Sequence, residues 1–358
     1  MKNRLTVHFD GLTLTNPLMP ASGPLVGDFA KLAFLQAAGC GALVTKTIST
    51  HPPVIPRPCI YGGRDYVMNS ELWSEHPLER WVAKFLPAFA GIKDRPLIIS
   101  VGYSEADMEI LIPALDRFAD AFEVSTHYVG TDLAKIGRIV AAIRARTKKP
   151  IYMKISPHIP DPAGFAKAIK DAGANGVVAV NSLGPTMKID LASRRIRYGN
   201  ADGYAWTSGP VIKNLALAAV RKIKLAEPSL TVIGVGGIQS AEDVLEFLLA
   251  GAAAVQMLSG ALLRGKDLYA KIIADLPAAL DKYGFVSIEE VKSTPLGNPI
   301  SYEPVLPVLI PEKCTKCQLC VRICPYFAIE LGDQITFDPK QCFGCGLCIA
   351  KCPTQAIR

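Results

Sequence analysis

The chain has 358 residues, of which 50% are hydrophobic and 20% charged. That supplies one barrel-sized core plus a small satellite domain and excludes a chain disordered throughout. The formal net charge of +7 is spread thinly, without a long run of like charges, which argues against a nucleic-acid partner.

The N-terminus starts basic but has no apolar run of signal-peptide length, and no uninterrupted apolar stretch is long enough to span a bilayer. A cytoplasmic chain with no membrane contact is expected. From residue 17 onward, short apolar runs alternate with amphipathic stretches. The runs read as strands at 17–21, 42–46, 97–101, 122–125, 151–155, 177–181, 231–235 and 254–257. They are almost continuously apolar, as parallel strands buried on both faces must be. The spacing between them predicts helices over 30–38, 105–119, 131–147, 163–172, 212–226 and 241–250. Eight such units in this length point to an α/β fold, a TIM (β/α)8 barrel. No Gly-x-Gly-x-x-Gly turn follows the first strand, which counts against a dinucleotide-binding doubly wound sheet. The cluster Arg194, Arg195 and Arg197 reads as a solvated loop, with a substrate-facing role left open.

The barrel domain is placed at residues 1–293, a proline-rich linker at 294–310, and a second domain at 311–358. Eight of the ten cysteines fall in that last segment. They form two runs: Cys314, Cys317, Cys320, Cys324-Pro325, then Cys342, Cys345, Cys348, Cys352-Pro353. Each is the Cys-x-x-Cys-x-x-Cys-x-x-x-Cys-Pro pattern of a bacterial-type ferredoxin, in which the fourth cysteine serves the other cluster. A small α+β domain holding two [4Fe–4S] clusters is therefore expected. Cluster one takes Cys314, Cys317, Cys320 and Cys352; cluster two takes Cys342, Cys345, Cys348 and Cys324. Gly344 and Gly346 let the backbone close on the second. Zinc sites use two separated cysteine pairs rather than a repeated triplet with a remote fourth, so zinc is the lesser reading.

Glycines end the seventh strand at Gly236 and Gly237, and Leu258-Ser259 follows the eighth. These are the loops that hold phosphate in TIM barrels. Lys46 and Lys154 end the second and fifth strands on the same face. A lysine buried there needs an anion, a ligand dipole or a structural ion pair. Cys40 reads as a small core residue and Cys59 as a remote thiol near the site. His76 and His158 sit on loops that could face it.

The motifs Asn16-Pro17, Ala21-Ser22-Gly23, Val44-Thr45-Lys46-Thr47, Met153-Lys154-Ile155-Ser156-Pro157, Val180-Asn181-Ser182, Ser208-Gly209-Pro210 and Gly234-Val235-Gly236-Gly237-Ile238 occur in order. With them the barrel resembles the dihydroorotate dehydrogenase family. The barrel-then-ferredoxin layout is similar to the C-terminal part of dihydropyrimidine dehydrogenase and to its bacterial iron–sulfur flavin subunit. So is the stretch Asn69-Ser70-Glu71-Leu72-Trp73-Ser74-Glu75. The resemblance implies FMN, an oxidoreductase of CH–CH groups, and a dihydropyrimidine dehydrogenase-like substrate. It places the cofactor on Ala21, Ser22, Gly23, Lys46, Ser125, Lys154, Asn181, Ser208, Gly209, Gly236, Gly237, Leu258 and Ser259. Substrate contacts fall on Asn69, Glu71, Asn181 and Ser182. It also implies a homodimer or hetero-oligomer and an external electron partner, either an NAD(P)H/flavin subunit or a ferredoxin.

One motif departs from the family. Its fourth-strand loop carries a catalytic Cys or Ser that moves a proton; here the segment is Ser125-Thr126-His127-Tyr128. Ser125 falls on the family's flavin-contacting Asn, and Tyr128 on the thiol. Tyr128 or His127 is then the acid, with Lys46 nearby, or the site takes another unsaturated carbonyl compound. An electron-relay subunit without its own substrate is a further alternative.

Overall fold

The computed structural model describes residues 4–126, 131–297 and 302–358. The chain divides between Leu296 and Gly297 into two compact units. In the larger, eight strands run at Leu18–Pro20, Leu43–Val44, Leu97–Val101, Ala121–Ser125, Ile151–Ile155, Gly176–Ala179, Thr231–Val235 and Ala254–Met257. Numbered one to eight, they lie in the order one, eight, seven, six, five, four, three, two, all parallel. Strands three and five are buried at every residue, which is why they read as apolar runs broken only by Ser100 and Lys154. Between strands one and two the seam is closed by Gly41, whose N–H donates to the Leu18 carbonyl at 2.8 Å.

That approach admits no side chain: a Cβ on Gly41 would lie 1.9 Å from the Asn16 carbonyl oxygen. Asn16 itself is buried, with Oδ1 accepting from Leu18 N–H at 3.0 Å and Nδ2 donating to the Gly39 carbonyl at 2.8 Å. The Asn16-Pro17 motif therefore anchors the start of the first strand through hydrogen bonds to the backbone.

The helices between strands keep their expected places but shift at their ends, where caps decide the boundary. Asp132 accepts from Ala134 and Lys135 N–H, so that helix starts at Leu133. Ser104 and Asp107 form a reciprocal capping box at Glu105, and the α-helix stops at Leu115 before a 3₁₀ turn. The second strand is shorter than expected. Beyond Val44 the chain keeps only loose pairing, through Thr45 N–H to the Ile98 carbonyl and an Ile48–Val101 bridge. The sixth ends at Ala179, two residues early.

A four-stranded antiparallel sheet, formed by Leu183–Thr186, Ala205–Ser208, Val67–Asn69 and Ile60–Gly62, was not expected. Its strands come from loops after the second and sixth barrel strands. An exposed hairpin, Lys188–Asp190 with Arg195–Tyr198, carries the arginine cluster. Among the described residues no helix is long and apolar enough to cross a membrane.

The small unit holds two short helices, Leu319–Ile323 and Leu347–Lys351, and the hairpin Ile329–Leu331 with Ile335–Phe337. The last residues of the proline-rich segment belong to its framework: Leu309 bridges Ile357, and Val308 exchanges backbone hydrogen bonds with Arg358. The two cysteine runs fold alike. Lys316, Gln318 and Phe327 take φ of 53°, 60° and 53°, and their counterparts Gly344, Gly346 and Gln355 take 74°, 75° and 53°. The second run meets two of its three left-handed turns with glycine, where the first uses Lys316 and Gln318, side chains that tolerate them less well.

Candidate active site

One cleft opens at the C-terminal ends of the barrel strands, with an empty volume of about 1250 Å³, open solvent included. Every described residue named above for cofactor or substrate lines it: Ala21, Ser22 and Gly23 after strand one; Lys46, Asn69 and Glu71 after strand two; Ser125 and Lys154 on strands four and five; Asn181 and Ser182 after strand six; Ser208 and Gly209; Gly236 and Gly237 after strand seven; Leu258 and Ser259 after strand eight. His127 and Tyr128 lie outside the described residues. Trp73, Tyr103, Trp206, Thr47 and Gln256 also line the cleft, and the sequence reading gave none of them a role. His76 packs edge-on against Phe85 at 5.1 Å, and the Nε2 of His158 accepts from Gly184 N–H at 3.3 Å; neither is a lining residue. Nor are Arg194, Arg195 and Arg197.

At one end, the backbone turns through Gly236 and Gly237 at φ of 134° and 80°. No recorded hydrogen bond among the described residues uses the N–H groups of Gly236, Gly237, Ser259 or Gly260. The Ser259 and Ser208 hydroxyls meet at 2.7 Å beside them. Unpartnered N–H groups with hydroxyls are a donor set for an anion such as a phosphate.

At the floor, Lys154 is 6% exposed, and its Nζ lies 3.4 Å from Oε1 of the fully buried Glu123. Gln256 donates from Nε2 to Oε2 of the same carboxylate at 2.6 Å, and its own Oε1 is buried without a partner among the described residues. At the opposite wall, Lys46 is 2% exposed and is held by Glu71 at 2.7 Å and Glu75 at 3.3 Å. Burial alone would raise the Glu75 carboxyl; its backbone hydrogen bond and Lys46 hold it below the usual carboxylate range.

Two amides face the same space, each turned by its neighbours. Asn181 Oδ1 accepts from Ser182 N–H at 2.8 Å, which leaves its NH₂ as a donor. Asn69 donates from Nδ2 to the Trp206 carbonyl at 3.4 Å, which leaves Oδ1 as an acceptor. The anion cradle, the orphaned acceptor on the floor and the buried ammonium fit FMN.

Cys40 is fully buried, and burial pushes its thiol up to about 12, which makes it an inert core residue. Cys59 is half-buried and outside the lining; burial, then the Glu71 carboxylate, push its thiol up.

In the small unit, Cys314, Cys317, Cys320 and Cys352 bound one enclosure with Pro353. Ala356 N–H points at Cys352 Sγ at 3.1 Å, and Ala328 N–H at Cys324 Sγ at 3.4 Å. Burial acts upward on Cys352, but the N–H groups of Ala356 and Thr354 outweigh it and hold the thiol below its ordinary value. Amide donors aimed at sulfur suit thiolate ligands, so this chemistry fits cluster ligation. The two cluster surroundings differ. Tyr326 and Phe343 stack at 5.0 Å beside Cys324 and Cys342, whereas the equivalent positions beside Cys352 and Cys314 are Thr354 and Thr315. Aromatic cover lowers the local dielectric and disfavours the extra negative charge of reduction. Phe343→Thr is expected to move one of the two cluster potentials upward and leave the other in place, read by a redox titration followed by electron paramagnetic resonance. Two unchanged potentials would remove the aromatic pair from the account.

A family model described as dihydroorotate dehydrogenase matches residues 4–280. The chain belongs to the dihydroorotate dehydrogenase family. A second model, described as a 4Fe-4S dicluster domain, matches residues 313–356. Three curated relatives carry the name dihydroorotate dehydrogenase B (NAD(+)), catalytic subunit. That of Pelobacter propionicus is 35% identical over 269 residues, covering 72% of this chain and 87% of its own length. That of Listeria monocytogenes serotype 4a is 31% identical over 304 residues, 81% of this chain and 98% of its own. That of Pyrococcus furiosus is 32% identical over 306 residues, 80% and 97%. The latter two matches use almost all of the relative and leave part of this chain without a counterpart. This dihydroorotate dehydrogenase family member is an oxidoreductase acting on CH–CH groups, with FMN and two [4Fe–4S] clusters as cofactors.

Proposed function

We propose that this dihydroorotate dehydrogenase family member acts on the C=C or CH–CH bond beside a carbonyl of an uncharged pyrimidine ring, as dihydropyrimidine dehydrogenase does with uracil and thymine. The observation that carries this reading is the Lys46–Glu71 pair at 2.7 Å, with Glu75 at 3.3 Å. Among the described lining residues the cations are Lys46 and Lys154; both already face a carboxylate, and no arginine joins them. A substrate bearing its own carboxylate would meet Glu71 without a spare cation, and like charges side by side cost several kcal/mol.

Bound FMN supplies hydride transfer, and the clusters supply one-electron transfer. The residues do the rest. Gly236, Gly237, Leu258 and Ser259, with Ser208 and Gly209, hold the phosphate on N–H and hydroxyl donors. Ala21, Ser22, Gly23 and Ser125 edge the ring. Lys154 would hold the ring through its ammonium, a positive charge that would favour the reduced flavin. Asn69 presents an acceptor and Asn181 a donor, the complement of an amide edge with adjacent N–H and C=O. Ser182 fixes the Asn181 amide, and Lys46 is positioned by Glu71. Tyr128 or His127 supplies the proton. Without a dinucleotide fingerprint, electrons are exchanged with a partner, an NAD(P)H/flavin subunit or a ferredoxin, in a cytoplasmic hetero-oligomer; the relatives' name, catalytic subunit, favours a subunit partner.

The relatives' name also favours a second reading, dihydroorotate as substrate. The two part cleanly in one experiment. The purified protein is photoreduced without oxygen and mixed with uracil, thymine, orotate or simple enones, and flavin reoxidation is followed by absorbance. Uracil or thymine should reoxidise it at least about tenfold faster than orotate, and Glu71→Gln should narrow that gap. Orotate reacting as fast as uracil would overturn the proposal; silence towards every compound would favour the electron-relay reading.

A further inference from the structure

Glu123 is fully buried beneath the cleft, on strand four, between Lys154 of strand five and Gln256 of strand eight. Among the described residues each of its oxygens has one partner: Oε1 faces Lys154 Nζ at 3.4 Å, and Oε2 accepts from Gln256 Nε2 at 2.6 Å. An ionised carboxylate only accepts, so it dictates which way the Gln256 amide turns. The NH₂ must face Glu123, and Oε1 is forced away from it. That oxygen is buried and has no partner among the described residues, yet Gln256 lines the cleft. A buried carbonyl oxygen left without a donor costs about 1–3 kcal/mol. The cost is relieved by a ligand that brings an N–H to this spot.

Beside this acceptor stands a donor, the Lys154 ammonium. The ligand edge that complements the two is an N–H next to a carbonyl. FMN has one such edge, the imide N–H between the two carbonyls of its pyrimidine ring. We propose that Gln256 Oε1 accepts this imide N–H while Lys154 donates to the neighbouring carbonyl, and that Glu123 is the positioning residue that fixes both. The proposal rests on FMN being the occupant of the cleft. It gives the barrel floor a recognition role: Glu123 sorts donors from acceptors, and the ring is read in one orientation.

The test compares FMN with its N3-methyl analogue, which lacks the imide hydrogen. The holoenzyme is stripped of flavin and titrated with each compound, with binding followed by flavin fluorescence. Wild type should prefer FMN by at least about tenfold, the loss expected for one unmet buried hydrogen bond. Gln256→Met keeps the bulk of the side chain and removes its acceptor, so the preference should collapse. A preference that survives in Gln256→Met would come from the size of the methyl group, or from a water on Gln256, and would overturn the proposal. Glu123→Gln frees the amide to turn; it should weaken the preference and move the flavin potential upward, because a negative charge has left the ring's pyrimidine side. A purely structural Glu123 would leave both unchanged, again overturning the assignment. Loss of binding for both compounds in wild type would instead defeat the flavin reading itself.

Discussion

Lys154→Met is expected to destabilise the barrel unit by about 3–5 kcal/mol and to strip it of FMN. The partner left behind is Glu123, which is fully buried and faces no other cation among the described residues. Gln256 would remain on one oxygen, but an amide donor does not offset a whole charge. The pair lies far from solvent, at 7% and 1% side-chain exposure, so screening does not soften the loss. The double variant Lys154→Met/Glu123→Leu should recover most of the stability, because it removes both charges together. It should not recover the flavin, since the ammonium proposed to meet the carbonyl pole is still absent. Urea unfolding midpoints and flavin absorbance separate the two effects. A single variant within about 1 kcal/mol of wild type would mean that water reaches Glu123 and that the charge is not sealed in the floor.

The barrel was legible because its strands are buried on both sides. Leu97–Val101 and Ile151–Ile155 have no exposed residue to interrupt the pattern, and Ser104 and Ser240 mark helix starts by their capping boxes. The iron–sulfur domain was legible because cluster ligation demands fixed cysteine spacing. The antiparallel sheet over the cleft was not. Its strands are three or four residues long, one contains Gly184-Pro185, and Asn69 pairs with Trp206, which is remote in sequence. Short strands that find distant partners leave no local periodicity. Part of the site was hidden for the same reason: Trp206 enters on that sheet, and Tyr103 on an irregular loop. Glu123 and Gln256 did carry a signal. Each is the one polar residue inside an otherwise apolar stretch, Ala121–Val124 and Ala254–Met257. Buried polar atoms in a barrel interior need partners, and these two have each other.

Tyr128→Phe is expected to slow substrate reduction by about a hundred- to ten-thousand-fold without releasing FMN. The family's thiol is missing from this loop, and a proton must still reach the carbon that does not receive the hydride. The chain enters the loop beside the flavin floor: Ser125 lines the cleft, and the Thr126 hydroxyl donates to the Lys154 carbonyl at 2.6 Å. Tyr128 and His127 follow directly in sequence. The two are distinguished by pH as well as by mutation. A general acid must be protonated to work. A phenol keeps its proton to about pH 10, so a Tyr128 acid holds the reduction rate level from pH 6 to 9. An imidazole loses its proton above about pH 6.5, so a His127 acid makes the rate fall across the same range, steepening to about tenfold per unit above about pH 7.5. A falling profile, together with a rate loss in His127→Gln but not in Tyr128→Phe, would move the role to the histidine. Full rates in both variants would take the acid out of this loop altogether and leave the lining phenol of Tyr103 as the group to test next.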